Sequence, residues 1–117
     1  MVTLHVRRLE PTDDRSGFHC GNVDLDRYFR QYSGQNQFRH HIGTTYIAIG
    51  DDGVVAGFAT VAASEVRPDQ LPGPLRKRLP KYPMPVLRLA RLGVDQRAQG
   101  KGVGTLLLKS VLTLAGG

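Results

Sequence analysis

Cysteine is almost missing from this 117-residue chain: Cys20 stands alone. It cannot close an internal disulfide, which points to a reducing, cytoplasmic setting. No basic residue but His19 lies beside it, so it reads as a structural thiol and not as an activated nucleophile. No apolar run is long enough to cross a bilayer. The N-terminus "MVTLHVRRLE" has neither the apolar stretch nor the cleavage site of a signal peptide, so no membrane partner is expected. Internal repeats and low-complexity tracts are absent. So is any Ser–His or Cys–His pattern of covalent catalysis, and no metal site is expected. Outside residues 65–85 there is only one proline. Inside them are Pro68, Pro72, Pro74, Pro80, Pro83 and Pro85, which mark a long loop with one basic helical turn at Leu75–Leu79.

Acidic residues are scarce in one place. Residues 66–101 hold nine Lys/Arg and two Asp/Glu, whereas residues 1–65 hold six and eight; the whole excess behind the net charge of +6 sits in that stretch. Such a bias suits a polyanionic partner, nucleic acid or a phosphorylated cofactor; a solubilising surface is the other reading.

What is present is one domain's worth of alternating elements, residues 1–117. "VTLHVRRL" alternates and predicts a strand from Val2 to Arg8. A helix follows "CGN", capped by Asn22 or Asp24, with Leu25, Tyr28, Phe29 and Tyr32 on one face and its end loosened at Gly34. "TTYIAIG" and "VVAGFATVAAS" flank "GDDG" as a hairpin. "VLRLARLGV", Val86 to Val94, reads as a largely buried strand. After a glycine-rich loop, Val103, Leu106, Leu107, Val111 and Leu114 mark the apolar face of a last helix. The order predicts an α/β or α+β fold around a mixed sheet.

The loop "RAQGKGVG", residues 97 to 104, turns a strand into a helix through bare backbone. Its N–H groups meet the positive end of the helix, a ready anion site. A Walker-type loop is excluded: Lys101 is followed by Gly102, and the earlier glycine position is Asp95. The dinucleotide fingerprint fails at Thr105. Gln99, Gly102 and Gly104 do fit the pyrophosphate loop of the GNAT acyltransferases, Gln/Arg-x-x-Gly-x-Gly/Ala, after "LARLGVD". The chain further resembles the GNAT toxins of bacterial toxin–antitoxin pairs, through "FHCGNVDLDRYFRQY" and "LPKYPMPVLRLARLGVDQRAQGKGVGTLLL".

That resemblance implies a largely antiparallel sheet with flanking helices. It also implies an acetyl-CoA-dependent N-acetyltransferase that acylates the primary amine of aminoacyl groups on charged tRNA. Gln99, Gly100, Lys101, Gly102, Val103 and Gly104 would hold the CoA pyrophosphate by backbone N–H groups, with Arg97 and Lys101 adding charge. Leu92, Gly93 and Val94 would pair with the pantetheine, and an N–H at the end of that strand would polarise the thioester carbonyl. Arg76, Lys77, Arg78, Lys81, Arg88 and Arg91 would meet tRNA phosphate. A strand-end ion pair is the other reading of Arg91, and His40 and His41 are either surface histidines or a catalytic base. The implied partner is a ribbon-helix-helix antitoxin; without the family's fifth strand, Val86–Val94 would also be an exposed apolar edge that invites pairing with a second copy of the chain. Measured against the family, the last strands and helix and the general-acid tyrosine lie beyond Gly117. None of Tyr28, Tyr32, Tyr46 or Tyr82 takes that tyrosine's place. The alternative function is therefore a catalytically incomplete domain that binds CoA, an antitoxin or a partner subunit.

Overall fold

A computed structural model describes residues 3–67, 72–76 and 82–116. Four strands form one antiparallel sheet in chain order: β1 (Leu4–Arg8), β2 (Thr44–Gly50), β3 (Val55–Val66) and β4 (Met84–Val94). The "GDDG" segment makes the expected hairpin turn. Gly53 N–H donates to Gly50 O and Gly50 N–H to Val54 O, both at 3.0 Å, and Gly53 takes a left-handed φ of 80°. The Asp52 carboxylate accepts from Val54 N–H and closes the turn.

One face of the sheet carries the helical segment that starts with α1 (Val23–Arg27). Asn22 is its cap: its side-chain oxygen accepts from Leu25 N–H at 3.0 Å. The segment does not stop at Gly34. It widens into i→i+5 turns at Tyr28–Tyr32 and Gln35–Arg39. Each wide turn adds a residue and moves the buried face on by one, so Ser33 and Gln37 are buried where a regular helix would have buried Tyr32, which is 46% exposed. The carbonyl of Phe29, released from the ordinary ladder, accepts from the Ser33 hydroxyl at 2.6 Å and from Arg15 at 3.3 Å. Gln37 donates to Leu9 O and accepts from Thr45 N–H, tying the segment to both neighbouring strands. Beneath it Phe18, Phe29 and Phe58 cluster with centroids 4.5–5.5 Å apart, Phe29 stacked on Phe58 and Phe18 edge-on to both.

The other face carries α3 (Val103–Gly116). Val103, Leu107 and Val111 pack on Tyr46, Ala48, Ala59 and Val61. A Cβ on Gly57 would come within 3.0–3.1 Å of Leu107 and Val103, so that glycine sets how closely helix and sheet approach. The buried seam is narrower than the sequence pattern: Leu106 and Leu114 are 37% and 52% exposed. β4 also departs from its reading as a buried strand. It lies at the sheet edge, and Val86, Leu87 and Leu89 are exposed. The short α2 spans Gly73–Arg76; the rest of the expected turn, through Leu79, falls outside the described residues.

Leu107→Ala should lower the free energy of unfolding by about 2–5 kcal/mol, the usual range for a buried leucine. Leu114→Ala should stay within about 0.5 kcal/mol of the parent. Urea titrations of the three proteins check the ranking.

Candidate functional site

The glycine loop is built on a carboxylate. Asp95 directly follows β4, is 2% exposed and accepts four hydrogen bonds through its carboxylate. His19 N–H donates at 3.1 Å, Arg97 N–H at 2.9 Å, and the Arg97 guanidinium at 2.9 and 3.3 Å. The bond to Arg97 N–H caps the short 3-10 turn Gln96–Ala98. Burial alone would push the Asp95 carboxyl up. The hydrogen bonds from Arg97 and His19 outweigh it and hold the group below the ordinary aspartate range.

The "FHCG" segment packs against this loop. Gln96 N–H donates to His19 O at 2.8 Å. The Gln99 amide donates to Cys20 O at 2.8 Å and to Val94 O at 2.9 Å. Gln99 is thus a strut: its side chain braces the loop, which leaves its backbone for a ligand. Cys20 N–H in turn donates to the buried Asp26. Burial pushes the Cys20 thiol up, and the neighbouring Asp26 adds to this, so it stays protonated at neutral pH.

Gly100 and Gly102 both take left-handed φ, 79° and 81°, and a Cβ on either would meet nothing within 4 Å. The fold demands their backbone conformation but leaves the space above them open. Gly102 O accepts from Leu106 N–H, the first bond of α3. Gly102 has no side chain to cap the helix, so the first N–H groups of α3 face outward at its positive end. Val103 itself is buried in the core, and Gly104 sits over Val94. Lys101 is exposed. With Arg97 it rims a groove of about 700 Å³ between the loop and the β2–β3 turn, bounded also by Leu4, Asp52 and Val54.

The strand before the loop offers an edge. Asp95 N–H points into the sheet, donating to Ala56 O at 2.8 Å. Antiparallel alternation then turns the backbone groups of Val94 and Leu92 toward the free edge; the Val94 carbonyl already accepts from Gln99, which leaves the Val94 N–H and the N–H and C=O of Leu92. Gly93 lies opposite Phe58, and a Cβ there would stand 2.8 Å from the Phe58 ring, so its packing role is explicit. The register skips between Thr60↔Arg91 and Val61↔Leu89, which makes Ala90 a bulge.

Arg88 and Arg91 lie opposite Ala62 and Thr60, and so on the α1 face of the sheet. Arg91 forms no ion pair among the described residues. Its guanidinium lies 4.2 Å over the Tyr28 ring instead. Lys77, Arg78 and Lys81 lie outside the described residues, and of Arg76 only the backbone is described, at the end of α2. His40 and His41 are exposed where the helical segment ends, His41 with a left-handed φ of 54°. Among the tyrosines, the Tyr28 hydroxyl bonds Thr60, Tyr46 is buried in the α3-side core, and Tyr32 and Tyr82 are exposed. No group of three or more potential metal ligands occurs among the described residues. Sequence reasoning missed the part of Asp95. The available signal was an aspartate immediately before a short turn, a capping residue in a capping position.

The model of the Acetyltransferase (GNAT) family matches residues 6–117. The chain is 35% identical over 106 residues to a tRNA-acetylating toxin of Mycobacterium tuberculosis, which takes in 91% of this chain and 62% of that protein. It spans about three-fifths of the length of the curated relatives it matches. Among solved structures it resembles AtaT complexed with acetyl-methionyl-tRNAfMet, with a TM-score of 0.82 and 24% identity, covering 97% of this chain and 69% of that one. It also resembles an AtaT mutant toxin bound to the C-terminus of the antitoxin AtaR and acetyl-CoA, with a TM-score of 0.75 and 22% identity, covering 95% and 64%.

Asp95→Asn should cost about 1–3 kcal/mol at neutral pH, because the buried acceptor loses its charge. The folded-state pKa of Asp95 is depressed. Its contribution is therefore present above the unfolded pKa and lost as the pH falls through the lower, folded value. The stability gap between parent and variant should narrow on acidification. Urea midpoints from pH 7 downward check this; a gap independent of pH would contradict it.

Proposed function

Because the chain belongs to the acetyltransferase (GNAT) family, we propose that it supplies the cofactor-binding framework of an acetyl-CoA-dependent N-acetyltransferase whose acceptor is the primary amine of an aminoacyl group on charged tRNA. The observation that carries the reading is the loop from Gly100 to Gly104. Two left-handed glycines with open space above them lead into a helix end with no side-chain cap. That is a cradle for the CoA pyrophosphate, and Lys101 is the exposed cation beside it. The Val94 N–H and the Leu92 N–H and C=O suit the amides of pantetheine, which would lie along β4 as an added strand. Such a placement brings the thioester to the bulged part of β4.

Acetyl-CoA supplies the activated acyl group. The amine nitrogen forms a bond to the acetyl carbon, the carbon–sulfur bond breaks, and the proton lost by nitrogen ends on the departing thiolate. No acyl-enzyme is required, which agrees with a Cys20 thiol held in its protonated form. Support for the acceptor comes from the tRNA-acetylating relative and from AtaT, whose structure holds acetyl-methionyl-tRNAfMet. Support for an antitoxin as partner comes from AtaT bound to the C-terminus of AtaR. In this reading the chain is a translation-blocking toxin. Arg76, Lys77, Arg78, Lys81, Arg88 and Arg91 contribute charge toward tRNA, and pairing through the β4 edge ahead of the Ala90 bulge, the part pantetheine leaves free, gives a homo-oligomer.

Calorimetry with CoA tests the cradle. Gly102→Glu puts a carboxylate where the pyrophosphate sits. Loss of the charge-assisted contacts, at about 1.5–3 kcal/mol, should weaken binding roughly 10- to 100-fold. Equal affinities would remove the cofactor assignment. Charge reversal at Arg76, Lys77 and Arg78 should weaken tRNA binding and flatten its salt dependence, read by titrating labelled tRNA at several salt concentrations.

A further inference from the structure

The Arg91–Tyr28 stack sits beside the Ala90 bulge, within one residue of the free edge of β4. A guanidinium lying on a ring uses its face for that contact and leaves its N–H groups around the rim. No hydrogen bond or ion pair of the Arg91 guanidinium occurs among the described residues, and the side chain is exposed. Contrast Arg7 and Arg97, whose forks close on Asp13 and Asp95. Arg91 is a held but unengaged fork.

What holds it is unusually well fixed. Tyr28 is buried, and its hydroxyl donates to Thr60 Oγ1 at 3.3 Å. Thr60 Oγ1 lies 2.8 Å from Thr45 Oγ1. Thr45 N–H donates to Gln37, which donates to Leu9 O. The ring under Arg91 is thus tied through β3 and β2 to the second wide turn of the helical segment. An exposed arginine ordinarily loses much side-chain freedom on binding; one already stacked on a fixed ring loses less.

We propose that Arg91 is a substrate-binding residue that takes a phosphodiester near the aminoacyl end of the acceptor tRNA in a bidentate grip, and so orients the amine toward the β4 edge. This rests on the acceptor reading above and goes beyond general charge attraction. It assigns one fork to one phosphate beside the reacting group. Tyr28 is its positioning residue.

The test uses the full chain and its Arg91→Ala and Arg91→Lys variants. Fluorescently labelled tRNA is titrated across a salt series, and CoA binding is measured in parallel. Arg91→Ala should bind tRNA about tenfold more weakly or worse. Its slope of log affinity against log salt should fall by roughly one contact's worth. Arg91→Lys should keep the slope but not the full affinity, since an ammonium cannot fork. CoA affinity should be unchanged in both; the thermal midpoint should fall by no more than a few degrees in Arg91→Ala, from loss of the stack on Tyr28. If the parent binds tRNA and Arg91→Ala matches it in affinity and slope, the inference is overturned, and Arg91 only covers Tyr28. A lysine variant equal to the parent would overturn the bidentate grip. A parent that binds CoA but no tRNA would overturn the acceptor reading itself, and this inference with it.

Discussion

The buried carboxylate of Asp95 is the constraint on which the site depends. It lies where three parts of the chain meet: the end of β4, the turn before the glycine loop, and the "FHCG" segment. A carboxylate this deep is costly unless its oxygens are satisfied, and here both are. The same bonds that offset its burial fix the direction in which the chain leaves the sheet. Gln99 repeats the device a few residues on, with an amide that joins Cys20 O to Val94 O. Between them these two side chains set the loop before any ligand arrives, so little ordering remains for binding.

The glycines divide by the demand placed on them. Gly57 and Gly93 are required by packing, one against α3 and one against Phe58. Gly100 and Gly102 are required by backbone conformation, with open space where a side chain would be. Only the second kind leaves bare backbone facing open space. The two kinds meet on the β4-to-α3 connection. A strand seated closely on the aromatic core on one side presents an unpaired edge and a bare loop on the other.

Much of this was legible in the sequence, for physical reasons that can be named. Alternation and the "GDDG" turn predicted the β2–β3 hairpin, because a period of two and a glycine with positive φ are local properties. The Asn22 cap was equally local. The strand-to-helix turn through glycines could be read because glycine content marks a turn; its reading as a pyrophosphate loop came from the family resemblance, not from spacing alone. What failed was whatever depends on neighbours. Apolar content made "VLRLARLGV" look largely buried, but burial depends on what lies beside a strand, and among the described residues β4 pairs with β3 alone, at the edge expected for it. The wide turns after Arg27 left no mark in the spacing of Leu25, Tyr28, Phe29 and Tyr32. They moved the buried face to Ser33 and Gln37, polar residues that a helical wheel counts as solvent-facing. Of the two readings of Arg91, the strand-end ion pair does not form among the described residues; the stack on Tyr28 that takes its place joins residues far apart in sequence, which spacing cannot show.

The bonds that brace the loop also have a history in time. His19 meets Asp95 across 76 residues, and Cys20 meets Gln99 across 79. Contacts this distant in sequence form late, after the intervening hairpin has drawn the ends together. During synthesis the N-terminal segment leaves the ribosome long before its counterpart exists. The sheet and the aromatic cluster can begin to assemble while the loop has nothing to lean on. A nascent chain therefore has no braced loop until the segment through Gly104 has emerged and docked, and the contacts that shape the candidate site form after the hairpin that precedes them.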